Sequence, residues 1–342
     1  MTDHSVFELP REPAPGTTLA LTGAHGCARA IAAVELARRR TGATVVVTPD
    51  LLSAETLRAE LAVFAGELPV VMLPDWETLP YDHFSPYQDI ISDRLAVLSS
   101  LPELNSGLVV VALPTLMQRL PDRRWLLGNS LNLAVGQTLD RDAFVRRLVD
   151  GGYQSVSQVT EHGEFALRGA IIDVFPMGHE QPLRIDLFDD DVEELKRFDP
   201  ETQRTEDRVE AIDILPAREL PLTPKDRSAF QRRWFARFPD SESGVAVLDD
   251  VMNGLLPAGI EYYLPLFFDA TDTFFDYLAG DALIVWTDAA PEHAAEVWSG
   301  IRERYEQLRH DLARPILAPE EIALDPGELE TRLNAHPCIA IS

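Results

Sequence analysis

Residues 23–30, Gly23-Ala24-His25-Gly26-Cys27-Ala28-Arg29-Ala30, stand where a phosphate-holding turn would stand, after a short apolar run and at the start of a helical pattern. In the loop G-x-x-x-x-G-K-[ST], backbone amides cradle the phosphates, a lysine neutralises the terminal ones and a hydroxyl holds magnesium. Gly23 keeps the first glycine, but Ala28 replaces the second, Arg29 the lysine and Ala30 the hydroxyl residue. The magnesium ligand is therefore missing and a methyl group crowds the turn. Arginine keeps the charge but not the compact ammonium. The expectation is a relic: Gly23, Gly26, Ala28, Arg29 and Ala30 join strand to helix without serving nucleotide, and no catalytic residue is assigned. The acid that would complete such a site is sought after a buried strand. Residues 282–286 lead into Thr287, Asp288, Ala289 and Ala290, where Asp288 has no glutamate after it. Asp249 and Asp250, after an expected strand at 245–248, are a weaker pair. A divergent nucleotide hydrolase using Arg29 with Asp288 is the enzymatic alternative.

Three other groups could do chemistry. Glu161, His162 and Glu164 have acid–base or metal-ligating character, but Gly163 breaks the segment and a metal would need ligands from elsewhere. A structural role in the turn is expected. Trp76, Tyr81 and Phe84 could stack on a ligand, yet with Pro74, Pro80 and Pro86 around them they are expected to seal the edge of a lobe. In the run 183–188, a period of two places Leu183, Ile185 and Leu187 on one face and Arg184, Asp186 and Phe188 on the other. Arginine forks and aromatic anchors dominate interface energetics, and an exposed phenylalanine beside an arginine is an unusual apolar patch. The competing reading is an Arg184–Asp186 surface pair worth about 0–1 kcal/mol, with Phe188 buried. Arg197, Arg204 and Arg208 are secondary candidates, expected to be solvated.

The elements that must position these groups fall into three stretches. Up to about residue 120, apolar strands at 18–22, 43–47, 70–73 and 108–113 alternate with amphipathic helices at 27–40 and 51–64, the pattern of a parallel α/β sheet. Residues 75–86 form an ordered loop. The middle third begins with an alternating run at 131–135 and a basic helix at 141–150 ended by Gly151 and Gly152. Strand-like runs at 155–161, 169–175, 183–188 and 195–199 follow, separated by turn chemistry, which makes a mostly antiparallel module. From about Pro216 helices return, with apolar strands expected at 245–248 and 282–286 and a long helix at 292–312. The apolar run beginning at Ile339 suggests a piece of a longer polypeptide.

Composition narrows the class. The 342 residues are 46% hydrophobic and 25% charged, a globular composition with room for two or three modules. No run is long and apolar enough for a transmembrane helix, and residues 1–11 lack the pattern of a secretory signal. The two cysteines, Cys27 and Cys338, could not build a disulfide framework, so a cytoplasmic location is expected. The formal charge of −26 argues against nonspecific grip on a polyanion by the chain as a whole.

Several uncommon strings carry a resemblance. They are D-W-E-T-L-P-Y-D at 75–82, F-S-P at 84–86, Q-D-I-I-S at 88–92, L-P-T-L-M-Q-R at 113–119, E-H-G-E at 161–164, R-G at 168–169, D-V-F-P-M-G at 173–178 and P-A-G-I-E-Y at 257–262. In this order they resemble the bacterial transcription-repair coupling factors. The resemblance implies an amino-terminal region similar to UvrB: degenerate helicase-like, P-loop-type lobes of α/β fold, with an inserted, mostly antiparallel α+β domain. Residues 1–122 and 214–342 would then pack as one discontinuous unit around an insert at 123–213. The family's UvrA-facing residues carry over onto Arg168, Arg184 and Phe188, and UvrA is the partner implied. RNA polymerase, DNA, ATP and magnesium would belong to further domains of the same polypeptide, with no cofactor for this chain. UvrB's strand-separating aromatic hairpin has no counterpart here. An intramolecular regulator that masks the UvrA surface is a further alternative.

Overall fold

The computed structural model describes residues 9–239, 245–288 and 290–342. Most of the acidic start, residues 1–8, and Ala289 of the 287–290 segment lie outside the described residues.

A six-stranded parallel sheet has the order β1-β14-β13-β2-β4-β3. Its strands are β1 (Thr18–Leu21), β2 (Gly42–Thr48), β3 (Val70–Leu73), β4 (Ser106–Ala112), β13 (Leu283–Thr287) and β14 (Cys338–Ile341). Residues from both ends of the chain therefore share one hydrogen-bonded layer: Thr18 pairs with Cys338, and Ile284 with Val45. β2 and β13 are buried along their whole length, as expected of β-branched strands covered on both faces. One face carries the helices Ala28–Arg38 and Leu51–Ala65, whose Ala33, Val34, Leu57 and Leu61 pack on Val46, Val110 and Val285. The second helix starts at Asp50, whose side chain accepts from the Ser53 amide, an ordinary N-cap worth about 1 kcal/mol.

The middle of the chain forms a second six-stranded sheet, order β11-β10-β9-β8-β7-β6. Its strands are β6 (Gln154–Ser155), β7 (Glu164–Arg168), β8 (Ile171–Val174), β9 (Leu183–Phe188), β10 (Asp191–Phe198) and β11 (Thr205–Val209). All pairings are antiparallel except β6 with β7. A separate antiparallel pair, β5 (Leu131–Ala134) with β12 (Ala211–Ile214), joins the beginning and end of this stretch. The helix Arg141–Asp150 buries Phe144 and Leu148, and the inner sheet face, with Ile172, Ile185 and Leu195, shares one core with Leu95 and Leu98 of the helix Gln88–Ser100.

Two expected strands differ. Residues 246–248 belong to the helix Ala246–Met252, and Val245 is its N-cap. Val247, Leu248 and Val251 form one helical face against Phe230 and Trp234, so the run is apolar because it is buried and not because it is extended. Of the 155–161 run only Ser155 is strand, at the end of β6. The amides of Thr160 and Glu161 donate instead to the Glu164 carboxylate at 2.8 and 2.9 Å, which turns the chain away from the ladder. β7, β11 and β12 lie outside the expected strand runs: Thr205–Val209 is polar and carries no alternating apolar signal, whereas β12 alternates exposed and buried residues but over four positions only.

Candidate protein-binding face

The outer face of the antiparallel sheet is fixed by register. Directly paired residues point the same way. Ala166, Asp173, Arg184 and Lys196 therefore form one row, and Arg168, Ile171, Asp186 and Glu194 the next. Phe188 shares that face two residues beyond Asp186 on β9. It is 68% exposed, immediately before the turn in which Asp189 takes a left-handed conformation. Leu183, Ile185 and Leu187 are buried beneath, as the period of two predicts.

Arg184 and Asp186 are not paired. Arg184 makes a two-pronged ion pair with Asp173, Nε to Oδ1 at 2.7 Å and Nη2 to Oδ2 at 2.9 Å. Asp173 is fully buried, and the Arg184 guanidinium carbon lies 4.7 Å from the centre of the Phe198 ring. The hydrogen bond to Asp173 raises the Arg184 pKa above its ordinary value, and burial works against it. Asp186 accepts instead from Lys196 at 3.0 Å, and Lys196 also pairs with Glu194, which Arg208 reaches at 2.6 Å. The Lys196 contact holds the Glu194 carboxyl below its usual range. Arg168 is exposed and donates from Nη2 to the Ser157 carbonyl at 3.0 Å. The face thus presents Phe188 and Arg168 outward, while Arg184 is turned inward onto Asp173. Sequence reasoning did not single out Asp173. The signal was present: one acid inside the apolar run Ile171, Ile172, Val174, Phe175 requires a buried partner.

The turn at residues 23–30 joins β1 to the helix Ala28–Arg38. Gly23 and Gly26 are left-handed, with φ of 85° and 57°. The amides that would cradle phosphate are engaged within the protein: Gly23 and Ala24 donate to the Ser342 carbonyl at 2.7 and 3.1 Å, Ala28 to His25 and Arg29 to Gly26. Arg29 pairs with Asp288, at the end of β13, which ties the side chain at the lysine position to the acid at the strand end. Ala30 is buried.

His162 bridges two segments. Nδ1 lies 2.7 Å from Asp89 Oδ1 and Nε2 lies 2.7 Å from the His179 carbonyl, and the ring packs on Phe175. Both nitrogens are occupied by protein acceptors, while Glu164 caps the turn. Trp76 and Tyr81 are buried, as expected of an edge seal, but Phe84 is 71% exposed. Its neighbour Ser85 turns inward to Glu261 at 2.9 Å, so the loop anchors itself through the serine and leaves the phenylalanine out. No helix among the described residues is long and apolar enough to cross a membrane.

Comparison with known proteins agrees with this architecture. Residues 131–220 match the family described as the UvrB interaction domain. The chain is 41% identical over 322 residues to the transcription-repair-coupling factor of Escherichia coli K12, covering 94% of this chain and 28% of that protein. The Haemophilus influenzae protein of the same name is 39% identical over 91% of this chain and 27% of its own length. The one from Myxococcus xanthus is 31% identical over 81% of this chain and 24% of its own length. The chain therefore spans a little over a quarter of the first two of these relatives. On this evidence it belongs to the transcription-repair-coupling factor family, and it matches that family's amino-terminal, UvrB-homology region.

Proposed function

We propose that this chain is a docking module that recruits UvrA through the outer face of β7–β10, with Arg168 and Phe188 as contacts and Arg184 completing the surface. The observation that carries the reading is Phe188. A phenylalanine 68% exposed on an ordered strand, on a charged face where Asp191 pairs with it and Arg168 lies in the adjacent row, has the composition of an interface anchor with a polar rim. The match of residues 131–220 to the UvrB interaction domain supports the same surface. We divide the chain into a discontinuous unit, residues 1–122 with 214–342, and an insert, residues 123–213.

The chain hydrolyses no ATP on this reading and needs no cofactor. The substitutions at Ala28, Arg29 and Ala30, and the engagement of Arg29 by Asp288, support it. In the complete polypeptide, further domains would use ATP and magnesium to act on DNA and on RNA polymerase stalled at lesions, and this module would then bring excision repair to the site, all in the cytoplasm. Calorimetric titration of UvrA into this chain tests the proposal. Saturable binding that weakens on Arg168→Ala is the expected result. Binding unaffected by any change on this face would refute the assigned surface, and its complete absence would favour an internal regulatory role.

A further inference from the structure

A cavity of about 240 Å³ opens where the chain leaving β12 crosses the loop before the helix Gln88–Ser100 and the segment 256–264. Trp76, Pro86, Ile91, Leu220, Leu256 and Leu264 give it apolar walls, and its charged lining groups are Arg218, Glu219 and Glu261. Its size suits a molecule smaller than a drug-sized ligand. Glu219 is held by Arg94, whose Nε donates to it at 2.6 Å in a buried pair.

Arg218 has no such partner. Arg94, Arg119 and Arg184 each hold a carboxylate, at 2.6, 2.6 and 2.7 Å. The Arg218 nitrogens make no hydrogen bond or ion pair among the described residues, although Glu261 is near enough to act on the charge. Nor are they sealed: the partnerless polar atoms cut off from solvent include Glu219 Oε2 but no atom of Arg218. Burial nonetheless works against the guanidinium charge and lowers its pKa. The side chain is also fixed in place. The backbone before it is held from two sides, Ala217 donating to the Gly151 carbonyl and accepting from Gln88, both at 2.8 Å. The stem lies over Gly152, where a Cβ would come within 3.0 Å of Arg218 Cδ. A half-buried cation held by its stem and left without an anion costs free energy, and such groups gather at binding sites. Glu261 does not fill the vacancy. Its Oε2 accepts from Ser85, which accepts in turn from the Gly259 amide at 3.0 Å. Burial pushes its carboxyl up to about 7, so much of its charge is gone near neutrality.

We infer that this cavity binds a small monocarboxylate with a compact apolar body, its oxygens accepting from the Arg218 guanidinium and its body lying against the apolar walls. A planar carboxylate matches the planar fork of arginine. A multiply charged anion such as phosphate is disfavoured by Glu219 and Glu261 in the same lining and by the apolar walls. A neutral molecule of the same shape would leave the guanidinium unpaired. The inference does not rest on UvrA binding.

The probe is benzoate, followed by the Arg218 Nε–H resonance in ¹⁵N-labelled protein and assigned by its loss in Arg218→Met. Benzoate is expected to shift that resonance saturably. It is expected to bind at least tenfold tighter than benzamide, which has its shape without its charge, and than inorganic phosphate, which has charge without an apolar body. By calorimetry, benzoate affinity is expected to fall at least tenfold in Arg218→Met. The thermal midpoint of that variant should not drop, since the change removes an unpaired charge. At pH 8, Glu261→Gln is expected to bind benzoate at least as tightly as the parent, because it takes a like charge from the lining. An Arg218 resonance unmoved by benzoate, or benzamide or phosphate as good as benzoate, would overturn the inference. So would unchanged affinity or a lowered midpoint in Arg218→Met, or weaker binding by Glu261→Gln.

Discussion

Arg184 holds the fully buried carboxylate of Asp173 with two hydrogen bonds, at 2.7 and 2.9 Å, from the strand next to it. The pair sits in the same sheet row as Lys196 and one row from Arg168. The residue that sequence patterning nominates for a partner is therefore also a structural clamp. The clamp and the proposed contact with a partner are separable by experiment.

Removing one member of a buried ion pair leaves the other uncompensated, at a cost of about 3 kcal/mol. Arg184→Ala is expected to lower unfolding free energy by about that amount in urea titrations, and Asp173→Ala similarly. Asp173→Asn keeps one acceptor for the guanidinium and should cost less. Equal stability of Arg184→Ala and the parent would contradict the clamp.

Phe188 behaves oppositely. Exposed and remote from the core, it is expected to change stability by no more than about 0.5 kcal/mol when replaced by alanine. The same urea titration provides the comparison, and a large loss would place the ring in the core after all.

Glu261 supplies a pH signature. Burial pushes its carboxyl from 4.5 up to about 7, against the opposing hydrogen bond from Ser85. Between those values the folded chain binds more protons at this group than the unfolded chain, so stability falls as pH rises from about 4.5 to about 7 and then levels. At about 1.4 kcal/mol for each pH unit, the loss amounts to about 3 kcal/mol. Glu261→Gln is expected to gain on the parent across that window by a comparable amount, measured as the difference between the two pH–stability curves. Parallel curves would exclude the assignment.

Gly259 precedes Glu261 in a left-handed conformation, φ 76°, and a Cβ there would collide with the Asp82 carbonyl. Conformation and contact both oppose a side chain. Gly259→Ala is expected to destabilise by more than about 2 kcal/mol, whereas alanine at Gly300, where nothing lies near, should be neutral or favourable. Thermal unfolding of the two variants side by side checks the contrast.

Much of this was legible in the sequence because periodicity reports burial. The parallel strands are continuous apolar runs, and β9 alternates residue by residue, which put Arg184 and Phe188 on one face. The failures have the same cause. Residues 245–248 are apolar and short, a pattern that fits a buried helix as well as a strand, and only the contacts with Phe230 and Trp234 distinguish them. The partner of Arg184 was not legible either, because Asp173 reaches it through the pairing of β8 with β9 and not through spacing along the chain. Phe84 and Ser85 divide the roles that proximity to prolines suggested for the phenylalanine alone.

The affinity of UvrA for this chain with and without Phe188→Ala, at equal stability of the two proteins, tests the proposed Phe188 anchor. The variant is expected to fold normally and to bind UvrA with at least a tenfold higher Kd, the loss of about 1.4 kcal/mol or more that a buried aromatic anchor gives. Unchanged affinity in a normally folded variant would contradict it.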